Sequence, residues 1–195
     1  MKNNTNKKTW SSIMSKYSIY FVLLALFIIS WIANKNFITP DNLKNVANQI
    51  SVGTILAFGQ TILVIAGMID LSSGSVLALA GVLSVSTYVG TGSLLLSFVV
   101  AIVASVVCNI LNGLMVTKFK VPPFIATLAM MTMARGAALL YTKGQNIYQI
   151  GKYTIFGQGS SFGIPNPIIF LAISLVATWY ILNNTVFGRS IYAVG

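Results

Sequence analysis

The 195 residues are 56% hydrophobic and 7% charged, and twelve Lys/Arg against two acidic residues give a net charge of +10. An ordinary soluble domain carries about 25% charged residues, so this composition excludes one and points to an integral membrane protein. With no histidine, no glutamate and a single cysteine, Cys108, the chain offers no Cys/His metal site, no Ser-His-Asp triad and no intrachain disulfide, and its basic residues lie mostly between apolar runs rather than on one basic, aromatic element, which sets nucleic acid aside.

Residues 1–16, with Lys2, Lys7, Lys8 and Lys16, read as a polar cytoplasmic tail. A first span follows over 17–33, with Tyr17 and Tyr20 at one interface and Trp31 at the other. Its length, about 26 Å at ~1.5 Å per residue, nearly matches the hydrocarbon core. Thr39-Pro40-Asp41 reads as a helix start, with Thr39 as cap and Pro40 in the first turn. The second span, 45–66, carries Asn48, Gln49, Ser51, Thr54, Gln60 and Thr61 and is too polar to face lipid all round. The third, 76–89, is short enough to borrow residues from the segment before it. A Gly90-Thr91-Gly92 turn leads to the fourth, 93–116. Pro122 and Pro123 separate it from the fifth, 124–141, which contains Arg135 near mid-depth. Residues 142–167 form a long polar loop, and long loops are often functional. The sixth span is 168–182, and the polar end 184–195 follows it. The expected fold class is therefore an all-α polytopic membrane protein, a helical bundle with about six transmembrane helices in residues 17–183.

Orientation follows from basic residues in short loops. With the N-terminus inside, Lys2, Lys7, Lys8, Lys16, Lys118, Lys120 and Arg189 fall on the inner side, against Lys35, Lys44, Lys143 and Lys152 outside. The N-terminus is expected in the cytoplasm, with the 142–167 loop outside.

The chemistry concentrates in Gly67-Met68-Ile69-Asp70-Leu71-Ser72-Ser73-Gly74-Ser75, a polar break between two apolar runs. A carboxylate in a bilayer costs roughly 2.5–3.5 kcal/mol at a helix centre on insertion scales, so Asp70 needs something to offset it. Asp70, Ser72 and Ser73 can cap the next helix. The break, Gly74 included, can equally line a translocation path, where irregular backbone faces a cavity. Asn48, Gln60 and Thr61 supply hydrogen-bonding chemistry for a polar solute or bonds between helices. Arg135 can line the path, or pair with Asp70 or with backbone carbonyls.

Four stretches carry a family resemblance: Gly67 to Ser75; Pro123-Phe124-Ile125-Ala126-Thr127-Leu128 with Ala134-Arg135-Gly136; Tyr141-Thr142-Lys143-Gly144-Gln145; and Gly188-Arg189-Ser190-Ile191-Tyr192-Ala193-Val194-Gly195. In this order they resemble the permease subunits of bacterial ATP-binding-cassette sugar importers, the branch that includes the ribose permeases. The resemblance implies a transport subunit in the bacterial plasma (inner) membrane rather than an enzyme. It implies import of a monosaccharide, with ribose the leading sugar, by alternating access. The partners it implies are the bilayer, an ATP-binding subunit that holds the ATP, an extracytoplasmic sugar-binding protein and a second permease copy. The chain itself then needs no cofactor. Gly188, Arg189, Tyr192 and Gly195 are its implied ATPase contacts, at the start of a cytoplasmic loop. Since further spans normally follow that loop in the family, the chain is expected to cover only the N-terminal part of a larger permease. The alternative class is a stand-alone secondary carrier or channel for a small polar solute, for which only Asp70 and Arg135 could serve ion coupling.

Overall fold

The computed structural model describes residues 4–148 and 150–195. Two compact units divide the chain, 1–47 and 48–195.

In the first unit, α1 runs Asn4–Ala33 and departs from helical geometry at Tyr17 (φ −112°, ψ 15°). The polar segment expected to be a tail is thus helical from Asn4, and Lys2 lies outside the described residues. Helix α2, Pro40–Ile65, starts after a turn in which Asn42 Nδ2 donates to the Phe37 carbonyl at 2.7 Å and Phe27 meets Phe37 edge-on at 5.2 Å. Thr39 does not cap α2 with its side chain; the hydroxyl donates backwards to the Asn36 carbonyl at 2.8 Å.

The second unit contains the rest of α2, then α3 (Ser73–Thr91), α4 (Leu94–Thr117), α5 (Pro123–Thr142), a short α6 (Ile155–Gln158), α7 (Asn166–Asn184) and α8 (Val186–Val194). Five helices, α2, α3, α4, α5 and α7, are long and apolar enough to cross a membrane, and Tyr17–Ala33 is a shorter apolar helix. Helix α3 reaches 19 residues by recruiting Ser73, Gly74 and Ser75 from the break. Local chemistry sets the ends. Gly67, at φ +71°, closes α2: its N–H bonds the Val64 carbonyl, and the Met68 N–H bonds Leu63 at 2.9 Å. That paired pattern needs a left-handed residue, which glycine supplies without steric cost. At the end of α5 the same two bonds form around Lys143, at φ +53°. Ser93 caps α4 by accepting from the Leu96 N–H at 3.2 Å.

Helix α3 packs against both α4 and α5. Ala126, Met130, Ala134 and Ala138, each four residues apart, are buried along one face of α5. Met130 and Ala134 join Val76 and Cys108 in the core cluster. Small residues let helices approach closely where lipid removes the hydrophobic drive between them. The largest fully buried side chains are serines: Ser51, Ser72, Ser84 and Ser97.

The long loop is built rather than loose. Gly151–Thr154 forms a 3-10 turn, α6 follows, and Ser160–Ser161 pairs antiparallel with Ile164–Pro165 in a small hairpin. Tyr153 fastens it to the bundle, its hydroxyl 2.8 Å from Ser84 Oγ, which also donates to the Ser97 carbonyl at 2.8 Å. Tyr88, Tyr153, Phe156 and Phe170 form a ladder of rings 5.6–6.4 Å apart. Tyr153→Phe removes one hydrogen bond at the buried Ser84 and should lower stability by about 1 kcal/mol. Limited proteolysis within 142–167 checks this, with faster cleavage the expected result.

Candidate functional site

The α2–α3 break is a polar knot held by three helices. Ser72, fully buried, donates both its N–H (2.7 Å) and its hydroxyl (2.6 Å) to Asp70 Oδ1. From α4, Asn112 Nδ2 donates to Ser72 Oγ at 3.0 Å. From α2, Gln60 Nε2 donates to the Asp70 carbonyl at 2.7 Å and to Ser73 Oγ at 3.0 Å. On α5, the Thr127 hydroxyl lies 3.4 Å from the Ile69 carbonyl, too long for a full hydrogen bond.

The chemistry is that of an Asx turn strengthened by a hydroxyl: a carboxylate satisfied by donors two residues away. Ser72 sits at the cap position of α3, but its hydroxyl is spent on Asp70 and makes no cap bond to the helix. Sequence reasoning singled out Asp70, Ser72, Ser73 and Gln60, and the structure joins all four. It did not assign Asn112 to this site. Asn112 Oδ1 is buried and has no partner among the described residues.

Arg135 stands apart from the knot. No ion pair joins Asp70 to Arg135, and the nearest answer to Asp70 is Ser72. Proximity in sequence explains this: the donors of Ser72 reach the carboxylate with no loop to close. Arg135 is exposed along α5 and lines two cavities. One, of about 330 Å³, is also lined by Gly81, Thr142, Gln145 and Asn146. The other, of about 490 Å³, is lined by Gly74, Ser75, Thr132 and Gly136. Both fall in the roughly 300–1,000 Å³ range of small-molecule sites. Neither has a carboxylate in its wall. Gly74 therefore sits on an Arg135 cavity rather than in the knot. Gln145 and Asn146, which complete the first cavity, were not assigned to a site from sequence; they lie in loop residues after α5 that turn back towards Arg135.

The other predicted residues are dispersed. Thr61 is exposed and returns its hydroxyl to the Ala57 carbonyl of its own helix at 2.8 Å. Asn48 is half-buried, with Oδ1 unpartnered among the described residues, and lies twelve positions from Gln60 on α2, about 18 Å along the axis. At the C-terminal end, 186–194 is a helix, α8, not an open loop. Gly188 is buried at its start, while Arg189 and Tyr192 are exposed. A side chain at Gly195 would overlap the Ile65 backbone.

The second unit thus sets a hydrogen-bonded polar break among membrane-length helices, beside an arginine-lined cavity. The family described as "Branched-chain amino acid transport system / permease component" matches residues 42–195, and the chain belongs to that family. Among curated proteins it is 38% identical over 189 residues to the ribose import permease protein RbsC of Bacillus subtilis, covering 95% of this chain and 59% of that protein. The RbsC of Haemophilus influenzae is 35% identical over 200 residues, covering 100% of this chain and 62% of the relative. The galactofuranose transporter permease protein YtfT of Escherichia coli is 34% identical over 152 residues, covering 77% and 45%. The chain thus spans about 60% of the length of the ribose permeases it matches. No solved structure matches.

Proposed function

We propose that this chain belongs to the permease of an ATP-driven importer that moves a monosaccharide, ribose first, into the cell. The observation that carries the reading is the cavity beside Arg135. Its polar walls are Arg135, Thr142, Gln145 and Asn146, donors and acceptors without a carboxylate, a set suited to a neutral polyhydroxylated solute. The 35–38% identity to ribose import permeases supports the choice of sugar, and the galactofuranose relative supplies the competitor. In this reading the knot fixes the α2–α3 break mechanically, and α8, with Arg189 and Tyr192 exposed, faces the ATP-binding subunit. A sugar-binding protein meets the opposite, outer side. A second permease copy completes the path, and the N-terminus is cytoplasmic.

Uptake of labelled ribose, galactofuranose and leucine in cells lacking the gene tests it, with the whole reading frame restored. Ribose uptake that depends on the cognate ATPase is the expected result. Arg135→Gln should lower that uptake about tenfold, equivalent to ~1.4 kcal/mol, at unchanged membrane level. Arg135→Lys should not restore it, because an ammonium lacks the planar fork of donors. Restoration of leucine uptake alone would overturn the sugar reading, and uptake independent of the ATPase would favour a carrier.

A further inference from the structure

The hairpin 160–165 presents its tip residue in an unusual way. Phe162 is fully exposed, at 101% of its reference surface, and sits at φ +55°. Gly163 follows at φ +78°, so both loop residues are left-handed, as the type I′ two-residue turn between antiparallel strands requires. Asparagine or aspartate normally takes the first of these positions; a bulky aromatic there is a steric outlier. In water Phe162 is thus unfavourable twice over, by its backbone and by its bare ring. Covering the ring would remove the second of these costs.

The geometry points to the lipid interface: Phe162 is a wedge that anchors the hairpin in the headgroup–acyl boundary of an anionic bilayer. Three observations favour lipid. First, the hairpin is tied to the end of a spanning helix. The Asn166 N–H bonds the Gly159 carbonyl at 2.9 Å, and Asn166 Nδ2 donates to the Ile155 carbonyl at 2.6 Å. Helix α7, 19 residues long, spans about 28 Å, close to the ~30 Å hydrocarbon core, so its first residue lies near the core's edge. Phe162 precedes it by four residues, a reach of at most about 14 Å. Second, further exposed apolar side chains flank the hairpin in the chain. Ile164 on the hairpin, Ile155 on α6 and Phe170 near the start of α7 are all exposed. Third, the charge fits. Residues 142–167 carry Lys143 and Lys152 and no acidic residue, which suits anionic headgroups flanking a buried aromatic. The inference is independent of what is transported.

The test is a nitroxide at Phe162→Cys in the full-length protein, reconstituted in phosphatidylethanolamine–phosphatidylglycerol vesicles. Cys108 is buried and, with any cysteine outside residues 1–195, is replaced by alanine to leave one label. Collision with oxygen is compared with collision with an aqueous nickel chelate, using Lys152→Cys as reference. An oxygen-to-nickel ratio several-fold higher at 162 than at 152, with mobility restricted relative to the same protein in detergent-free nanodiscs of zwitterionic lipid, supports the wedge. A ratio equal to that at 152 overturns it and leaves a protein partner as the cover. Shielding from both reagents also overturns it, because the ring would then be packed on protein. Phe162→Asn, which suits the left-handed backbone and removes the ring, separates folding from insertion. This variant should fold normally yet expose the loop to protease in vesicles, and unchanged protection would count against the wedge.

Discussion

Alanine at Gly188 is expected to dislodge α8 and to be among the most damaging single-methyl changes in the second unit. The chain turns sharply at Thr185 (φ −112°, ψ 158°), and the first turn of α8 folds back on the last turn of α7. The Thr185 hydroxyl donates to the Ile181 carbonyl at 2.6 Å and accepts from the Gly188 N–H at 3.0 Å. A Cβ at Gly188 would overlap the carbonyl oxygens of both Ile181 and Leu182. These are backbone atoms of a helix and cannot swing aside as a flexible side chain can. Overpacking costs typically about 1–3 kcal/mol, and this site belongs at the upper end or above. Thr185→Ala removes the bridging hydroxyl alone and should cost about 1 kcal/mol. Ser190→Ala should be nearly silent, since that exposed hydroxyl only returns to the Val186 carbonyl. Thermal unfolding in detergent ranks the three. Gly188→Ala as stable as Ser190→Ala would mean the α7–α8 bend is not held as described. On the proposed function, Gly188→Ala should also uncouple ATP hydrolysis from uptake.

The second large effect is expected at the knot. Asp70→Ala strips the acceptor from two donors of Ser72, a residue with no access to water. Hydrogen bonds to charged groups are worth about 1.5–3 kcal/mol each, and a buried orphan donor costs about 1–3 kcal/mol. The loss should exceed that of Ser72→Ala, which leaves Asn112 Nδ2 without its acceptor but keeps the backbone N–H at 72 on Asp70. Asp70→Asn keeps an acceptor oxygen and should be mildest. Exchanging the charges, Asp70→Arg with Arg135→Asp, should not rescue folding, because Asp70 is answered by Ser72 and not by Arg135. Membrane yield and melting temperature of these variants check the order. Recovery in the exchanged pair would overturn the assignment.

Hydropathy made α2, α3, α4, α5 and α7 legible, because a long apolar run in a sparsely charged chain has few other folds available. Asp70 was legible for the same reason: a rare carboxylate between apolar runs must be answered. What answered it was harder to see. Two scarce opposite charges invite pairing, which is why Arg135 suggested itself. Ser72 wins because it is local and needs no loop closed to reach the carboxylate. Asn112 bonds Ser72 from forty residues away, and nothing in the sequence names that particular partner. The helical state of Asn4 to Lys16 was hidden by polarity, and that of α8 by its glycine, polar residues and short length. In α8 the glycine is there for close approach rather than for breaking the helix. The 142–167 loop looked irregular because its order comes from aromatic and hydroxyl contacts to α3 and α7, which no local pattern records.

Serines are among the most deeply buried side chains described in the second unit: Ser51, Ser72, Ser84 and Ser97. If the helices part within the bilayer, hydrocarbon replaces helix and little apolar surface reaches water. The heat-capacity change of that separation should then be near zero, since apolar hydration is what makes it large for soluble domains. The free energy of helix separation should vary almost linearly with temperature, without the curvature that produces cold unfolding. A bundle closed by hydroxyls keeps its grip in the cold, when a core held by the hydrophobic effect would be loosening.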